Sequence, residues 1–319
     1  MKKIILNTFL IFNTFNYANV AKARESELFY KNESDMQSFI VIGDTGKQTV
    51  SQREVANSME TYCSSSPERQ CDAAFLLGDN LYSAGMESAD DPKMDIVFRD
   101  YYQNLNFPFY AVLGNHDYGK YSLSLKKANY ELEYSKRNPQ FIMPSRFYTK
   151  EFKDVVVAHL DTTRMMWKKD LAIQGEMVLA AKKIAEEKKL WFIVTGHHPY
   201  LSNGSHGNAG HYDKVKAPYF ASGKYVKRFF DKYVCPNADL YLSGHDHSLQ
   251  LIPGEQAGCK SYLIVSGAGG SGSSLSPRNQ VDFETTNPGY FHLKIEPRKI
   301  EIKAVNAEAD EVFSKVLSR

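Results

Sequence analysis

The sequence predicts an α/β fold in which two packed β-sheets are flanked by helices. The first observation behind this prediction is a set of short, continuously apolar runs, the pattern of strands that are buried on both faces. These runs are residues 39–42, 73–77, 110–113, 191–194 and 240–242. The second observation is a set of further strand-like segments, at residues 154–160, 261–265 and 291–302. Helical patterns alternate with the strands in the first half of the chain, which favours sheets covered by helices.

Four segments between the apolar runs have the composition of helices, and they are residues 50–62, 91–104, 121–136 and 176–189. The last of them reads EMVLAAKKIAEEKK, which is rich in Ala, Lys and Glu and has apolar residues at helical spacing. This pattern is typical of a surface helix that packs on one face. Because it leads into the run at residues 191–194, it predicts a helix followed by a buried strand.

The two ends of the chain differ in composition. The chain has 319 residues, of which 43% are hydrophobic, and we expect one catalytic domain over residues 24–319. Residues 1–23 begin with two lysines, continue with an apolar stretch and end in Ala-Lys-Ala, the pattern of a cleaved secretory signal peptide. An uncleaved membrane anchor is the alternative, but four asparagines interrupt a stretch already short of the roughly 20 apolar residues that span a bilayer. We therefore expect a secreted or periplasmic protein with no membrane partner.

The charge balance excludes strong attraction to polyanions. Removing residues 1–23 removes three lysines and no acids, which leaves 36 basic and 37 acidic residues and a formal charge of −1. Binding to nucleic acid depends on a basic surface that neutralises phosphates. We therefore expect no nucleic-acid partner, and we expect a monomer.

All four cysteines lie after the expected cleavage point. An even number of cysteines in an oxidising compartment predicts disulfide bonds, and four cysteines allow three pairings. We expect Cys63 to pair with Cys71 and Cys235 with Cys259, because each pair lies close in sequence. A zinc site formed by these cysteines is disfavoured, since no CxxC spacing occurs.

Five short segments carry polar side chains directly after a glycine that ends an apolar run. They are GDTG at 43–46, GDNLY at 78–82, GNHD at 114–117, GHHP at 196–199 and GHDH at 244–247. Ligands collect at the carboxyl ends of strands in α/β sheets, and glycine allows the chain to turn there. Side chains from all five segments are therefore expected to converge in one cleft, namely Asp44, Asp79, Asn115, His197, His245 and His247.

The chemistry of these side chains predicts a site for two cations. Carboxylate and amide oxygens with imidazole nitrogens suit Fe, Mn, Zn or Mg. A carboxylate can bridge two ions that lie roughly 3.5 to 4 Å apart. We expect Asp79 to be that bridge.

The five segments, in this order, resemble the signature of the calcineurin-like metallophosphoesterases. Tyr82, three residues after Asp79, narrows the resemblance to the purple acid phosphatases, in which such a tyrosine is a ligand of a ferric ion. Residues 160–162, 243–250 and 265–269 resemble the mammalian-type, tartrate-resistant branch of that family, and the likeness runs from about Ser38 to the C-terminus. The resemblance implies a four-layer α/β/β/α sandwich of two mixed sheets flanked by helices.

The resemblance also implies a role for each ligand. A ferric ion would be held by Asp44, Asp79, Tyr82 and His247, and a divalent ion (Fe, Zn or Mn) by Asp79, Asn115, His197 and His245. The implied reaction is hydrolysis of phosphate monoesters by attack of a metal-bound hydroxide, on small phosphorylated substrates that include phosphoproteins or nucleotides.

Two histidines are expected to act on the substrate. His116 follows Asn115 and would donate to the phosphate and protonate the leaving alkoxide. His206 matches a histidine that the tartrate-resistant branch holds over the cleft. That branch has an acidic residue immediately before this histidine, whereas Ser205 stands there in this chain, so position 205 offers no acid to pair with His206. Asp117 and Asp246 are expected to orient ligand imidazoles.

Two other functions are compatible with parts of the pattern. A calcineurin-like phosphodiesterase or nucleotidase would use two divalent ions and leave Tyr82 without a metal. An inactive secreted metal-binding module would have a broken ligand set, and none of the seven ligand positions is broken here. The complete set favours the acid phosphatase.

Overall fold

The computed structural model describes residues 30–120, 123–215 and 221–319. The signal-peptide prediction for residues 1–23 lies outside these ranges and stays a prediction. Residues Lys31–Arg319 form one compact unit. Within the described ranges, no helix has both the length and the apolar character needed to cross a membrane.

The strands of the described residues form two seven-stranded sheets. In chain order they are β1 (Ser38–Ile42), β2 (Ala73–Leu76), β3 (Phe109–Ala111), β4 (Phe141–Ile142), β5 (Tyr148–Glu151), β6 (Val155–His159), β7 (Trp191–Thr195), β8 (Leu240–Ser243), β9 (Leu249–Pro253), β10 (Tyr262–Ser266), β11 (Phe283–Thr285), β12 (Gly289–Glu296), β13 (Lys299–Asn306) and β14 (Glu311–Ser318). The first sheet has the order β14-β13-β12-β1-β2-β3-β4, and the second has the order β11-β9-β10-β8-β7-β6-β5.

Both sheets are mixed, with a parallel centre. Strands β1 to β4 run parallel to one another, as do β6, β7, β8 and β10, and antiparallel strands complete each sheet. The carboxyl ends of the parallel strands are where the five polar segments begin. The prediction of two mixed sheets flanked by helices is confirmed.

The helices lie between the strands in sequence. They are α1 (Val50–Ser65), α2 (Pro92–Met94), α3 (Asp100–Tyr102), α4 (Leu125–Arg137), α5 (Thr162–Met166), α6 (Leu171–Lys188) and α7 (Lys224–Phe229). Turns of π-helix occupy Asp95–Arg99 and Phe230–Val234, and turns of 3-10 helix occupy Glu33–Asp35, Pro67–Arg69, Tyr212–Lys214 and Gly254–Ala257.

Local chemistry sets the helix boundaries. Helix α1 begins after Thr49, whose hydroxyl accepts from the backbone N–H of Gln52, and α5 begins after Asp161, whose carboxylate accepts from Arg164 N–H. Helix α6 starts at Leu171, ahead of the expected residue 176. The helix expected at residues 121–136 begins at Leu125, and residues 121–122 lie outside the described ranges.

The prediction of one strand over residues 291–302 is wrong. This segment is a hairpin of β12 and β13, in which Glu296 pairs with Lys299. Pro297 lies in the turn, where its lack of a backbone N–H is tolerated because that position donates no ladder hydrogen bond. Strand β14 was not predicted, because its apolar residues occur as two separate pairs instead of one continuous run, and its residues are exposed or half-buried.

The main hydrophobic core is aromatic. Phe39, Phe75 and Phe152 pack with ring centroids 4.8 to 6.0 Å apart. His159 of β6 stacks on Tyr148 at 4.3 Å, and burial lowers its pKa to about 3. A neutral, buried His159 is thus a packing residue, which agrees with its position inside an apolar strand.

Two disulfide bonds join Cys63 to Cys71 and Cys235 to Cys259. The first links the end of α1 to the start of the segment that leads into β2. The second links the end of the π-helical turn after α7 to the segment that follows β9. This is the expected pairing, and the described residues hold no free cysteine.

Candidate metal centre

The ligands expected from the sequence all lie beside the carboxyl ends of five buried strands. The first sheet contributes Asp44, Asp79 and Asn115 from the loops after β1, β2 and β3, and the second contributes His197, His245 and His247 from the loops after β7 and β8. Three of these residues have a positive φ, with values of 60° at Asp44, 54° at Asp79 and 70° at His245. Non-glycine residues rarely adopt this conformation, and it concentrates at functional sites.

Glycines allow the loops to approach one another. A Cβ atom on Gly114 would lie 2.1 Å from the Asp79 Oδ1 atom, and a Cβ on Gly244 would lie 2.5 Å from the Asp44 Oδ2 atom. Side chains at these two positions would therefore displace the carboxylates. This is the physical reason for the glycines that begin the GNHD and GHDH segments.

Three of the four residues expected on the ferric ion are in mutual contact. The Tyr82 hydroxyl donates to Asp44 Oδ1 at 2.8 Å and lies 3.2 Å from His247 Nε2. The His247 Nε2 atom is 3.4 Å from Asp44 Oδ1. Burial alone would raise the pKa of Asp44, but the hydrogen bond to His247 and the charges of His197 and His247 lower it to about 2.

The residues expected on the divalent ion form a second group around His197. The His197 Nε2 atom lies 3.1 Å from Asn115 Oδ1, 3.1 Å from His245 Nδ1 and 3.4 Å from Asp79 Oδ1. The other ring nitrogen, Nδ1, is 2.9 Å from the Leu77 carbonyl oxygen. Since a carbonyl only accepts, the proton sits on Nδ1 and the lone pair on Nε2, as a metal ligand requires.

The donor set fits hard cations. Ligand atoms of Asp44, Asp79 and His197 all lie within 4.8 Å of one another, and all three side chains are buried. A cation would balance the charge of two buried carboxylates at this separation. Burial, followed by the charges of Asp44 and Asp79, raises the pKa of Tyr82 well above its ordinary value, and a bound cation would offset both effects. The ligand roles themselves stay predictions.

Asp117 and Asp246 do not act as expected. Asp117 accepts from the backbone N–H groups of Asn80, Leu81 and Gly114, at 2.9, 3.1 and 2.7 Å. It therefore ties the loops after β2 and β3 together, rather than orienting an imidazole. Asp246 accepts from the Ser202 hydroxyl at 2.5 Å and from the His206 N–H at 2.9 Å.

His116 lies at the cleft, next to the first group of ligands. Its ring packs on Tyr82 with centroids 4.2 Å apart, and its Nδ1 atom lies 2.5 Å from the Ser83 carbonyl oxygen. The proton is accordingly on Nδ1, and the Nε2 atom lies 3.8 Å from Asp79 Oδ2. Burial lowers the pKa of His116, although the charge of Asp79 opposes this.

His206 lies on the opposite side of the cleft, against the second group. Its ring stacks on His245 with centroids 4.1 Å apart, and its Nδ1 atom is 2.7 Å from Asp213 Oδ1. Partial burial opposes protonation, but the hydrogen bond to Asp213 and the charge of Asp246 outweigh it, so the pKa of His206 is raised. An acid does pair with His206, and it comes from Asp213 instead of position 205.

The cleft between the two histidines has a volume of about 580 Å³. Beside the ligands and histidines, its wall includes Lys120, Met166 and Trp167. Met166 and Trp167 lie at the end of α5, so the wall away from the ligands is partly apolar. This space is large enough for a phosphorylated small molecule.

Lys47 and Asp213 are site residues that the sequence did not reveal. The Lys47 ammonium lies 3.0 Å from His247 Nδ1, 2.7 Å from the Ser271 hydroxyl and 4.7 Å from the centre of the Tyr82 ring. The position of Lys47 directly after the GDTG segment was an available signal. Asp213 carries no such signal, because it lies in a polar loop far from any motif.

The fold and the donor set together define a metallophosphoesterase. The model of the calcineurin-like phosphoesterase family matches residues 38–249, so the chain belongs to that family. Phosphoesterases of this family require a dinuclear metal centre, and the Asp–His cluster lies where that centre is expected.

Relatives with curated names are acid phosphatases. Mouse tartrate-resistant acid phosphatase type 5 is 25% identical, over 88% of this chain and 90% of that protein. The pig protein of the same name is also 25% identical, over 88% of this chain and 86% of that protein. Purple acid phosphatase 4 of Arabidopsis thaliana is 29% identical, over 73% of this chain and 68% of that protein. The chain is therefore similar to purple and tartrate-resistant acid phosphatases over most of its length.

A solved structure with the same fold is GAP50, the anchor in the inner membrane complex of Plasmodium. It has a TM-score of 0.67 and 19% sequence identity, with 89% of each chain covered. The structure of PhoD has a TM-score of 0.56 and 12% identity, over 91% of this chain and 70% of that chain. At these identities the similarity establishes the shared fold.

Proposed function

We propose that this protein is a secreted acid phosphatase that hydrolyses phosphate monoesters with a dinuclear centre of Fe(III) and a divalent Fe, Zn or Mn ion. The observation that carries the proposal is the contact of the Tyr82 hydroxyl with Asp44 and His247. A phenol among a carboxylate and an imidazole is a hard donor set that favours a ferric ion. The names of the relatives support the same activity.

Asp79 supports a centre with two ions. The Asp79 Oδ1 atom lies 3.4 Å from His197 Nε2 of the second group, and, in addition to burial, the charge and a side-chain hydrogen bond of Asp79 raise the pKa of Tyr82 in the first group. These interactions with both groups support Asp79 as the bridge between the ions. When bound, the ions supply Lewis acidity toward the phosphate and lower the pKa of a coordinated water.

The histidines of the cleft carry out the proton transfer to the leaving group. The Nδ1 proton of His116 is held by the Ser83 carbonyl, which leaves Nε2 as the nitrogen that exchanges a proton with the substrate. His206 approaches from the side of His245, and its raised pKa favours the protonated, donating form in mildly acid solution. An ester oxygen that departs between these rings receives its proton from one of them.

Secretion, and a single catalytic domain over residues 24–319, belong to the same proposal. Two disulfide bonds are typical of an oxidising compartment, which supports a secreted or periplasmic location. We propose a monomer that acts on small phosphorylated substrates.

Metal analysis with an absorption spectrum of the purified protein tests the proposal. We expect two ions per chain, one of them iron, a visible band from charge transfer between phenolate and Fe(III), and hydrolysis of an aryl phosphate monoester at mildly acid pH. A colourless protein with two divalent ions that cleaves phosphodiesters would instead be the phosphodiesterase or nucleotidase. A protein that binds no metal and cleaves neither substrate would be the inactive module.

A further inference from the structure

His206 is held by one residue at two points. The Asp213 carboxylate accepts from the His206 ring, with Nδ1 and Oδ1 2.7 Å apart, and the Asp213 backbone N–H donates to the His206 carbonyl at 2.8 Å. Both side chains line the cleft. The two hydrogen bonds fix the backbone and the ring of His206 relative to Asp213.

His206 also contacts two residues of the GHDH segment. Its backbone N–H donates to Asp246, a fully buried carboxylate in the GHDH segment, at 2.9 Å. Its ring lies on the His245 ring, with an angle of 29° between the planes. The His206 ring is therefore in stacking contact with an expected ligand of the divalent ion, and Asp213 hydrogen-bonds the Nδ1 atom of the same ring.

The hydrogen bond to Asp213 determines which ring nitrogen is available. A neutral imidazole has one donor and one acceptor nitrogen, and an ionised carboxylate only accepts. The proton therefore resides on Nδ1, so the Nε2 atom is the one that exchanges protons. We propose that Asp213 is a positioning residue that fixes the ring of His206 in this tautomer, with Nε2 directed at the leaving group. The catalytic part of this proposal rests on the proposed phosphatase function.

Stability alone does not account for the pair. The side chains are 34% exposed at His206 and 53% exposed at Asp213, and ion pairs this exposed add little to stability. Asp213 also adopts a φ of 53°, a left-handed conformation that is uncommon in residues other than glycine. An arrangement with little gain in stability and a strained backbone is better explained by the orientation that it gives to His206.

The test compares Asp213→Asn and Asp213→Glu with the unchanged protein on an alkyl phosphate and on an aryl phosphate with an acidic phenol. We expect Asp213→Asn to lower kcat for the alkyl phosphate about 10 to 100-fold, with at most a several-fold rise in KM and unchanged metal content. The aryl phosphate should be much less affected, because its leaving group needs no proton. Asp213→Glu keeps the carboxylate and should restore part of the loss.

Asp231→Asn is the matched control. The Asp231 carboxylate is 45% exposed, pairs with Lys227 at 2.8 Å, accepts from the Tyr200 hydroxyl at 2.7 Å, and does not line the cleft. The kcat of the Asp231→Asn variant should be unchanged on both substrates. An equal loss on both substrates in Asp213→Asn, or no loss at all, would overturn the positioning role.

The double variant His206→Ala with Asp213→Asn decides whether Asp213 acts through His206. We expect no further loss when Asp213→Asn is added to His206→Ala. If Asp213→Asn lowered kcat as much in the presence of His206→Ala as it does by itself, Asp213 would act independently of His206, and the proposal would be wrong.

Binding of inorganic phosphate to the metal-loaded protein separates this proposal from the proposed function. Calorimetry should give a several-fold weaker Kd in Asp213→Asn, and no further weakening once His206→Ala is present. If the unchanged protein hydrolyses no phosphate ester, the proposed function fails, whereas this binding pattern would still support the positioning role. An unchanged Kd in Asp213→Asn would contradict it.

Discussion

The expected metal ligands and His206 reach the same cleft in two different ways. His197 and Asp79 lie within a few residues of a buried strand and are held by backbone groups: the Leu77 carbonyl bonds the His197 ring, and the His116 N–H bonds the Asp79 carboxylate. His206 lies well beyond the end of β7 and is held by the side chains of Asp246 and Asp213.

We expect this difference to separate metal binding from proton transfer. Ligands on rigid strand ends keep a fixed geometry, which a metal centre requires. A residue on a loop held by side chains can be changed without disturbing the strands. We therefore expect substitutions among the strand-end ligands to affect metal content, and substitutions around the His206 loop, residues 202–213, to affect turnover while both ions stay bound.

Asp79→Ala should have the largest effect. Asp79 is proposed to contact both ions, so its loss should remove metal from both sites and abolish activity. His197→Ala is the comparison, because it should mainly weaken the divalent site. Metal analysis of the purified variants measures both outcomes. Two ions still bound in Asp79→Ala would contradict the bridging arrangement.

His116→Ala tests a strand-end residue that is not expected to bind metal. It should keep both ions and lower kcat by an amount on the order of 10² to 10⁴ if His116 is a general acid. The loss should be larger for an alkyl phosphate than for an aryl phosphate with an acidic phenol, since only the former needs a proton. Equal losses on both substrates, with metals retained, would reduce His116 to positioning phosphate and assign the acid to His206.

Tyr82→Phe should change the spectrum more than the turnover. It removes one of seven ligands and leaves a ring of the same shape in the same place, so the fold should be intact. The visible charge-transfer band should disappear, because it arises from the phenolate. A visible absorption spectrum tests the loss of the band, and a circular dichroism spectrum tests whether the fold is intact. An unchanged visible spectrum would contradict the assignment of Tyr82 to iron.

The convergence of the expected metal ligands at strand ends was predictable from the sequence, because each segment that carries them begins with a glycine at the end of an apolar run. This pattern depends on neighbours in the chain. The disulfide bonds were predictable for the same reason, since Cys63 and Cys71 are close in sequence. The contact of Lys47 with His247 joins residues that are 200 positions apart. Asp213 reaches His206 through an irregular loop without periodicity, so no pattern in the sequence marks the pair.

The smallest effect is expected for Asn203→Ala, in the loop that carries His206. Asn203 is 1% exposed, and its side-chain oxygen accepts from the backbone N–H groups of Arg278 and Asn279, at 3.1 and 2.8 Å. Its removal leaves these groups without their acceptor, which should lower the free energy of unfolding by about 1 to 3 kcal/mol. Urea denaturation measures this loss.

Asn32→Ala is the control for Asn203→Ala, because Asn32 is exposed and caps the following turn without a side-chain hydrogen bond. Its stability should change little. In Asn203→Ala, kcat for an alkyl phosphate should fall several-fold, because a looser loop holds His206 less firmly, while metal analysis should still find two ions. Loss of metal from Asn203→Ala, in which all seven expected ligands are present, would mean that the His206 loop and the strand-end ligands are structurally coupled. Metal binding and proton transfer would then not be separable by substitution.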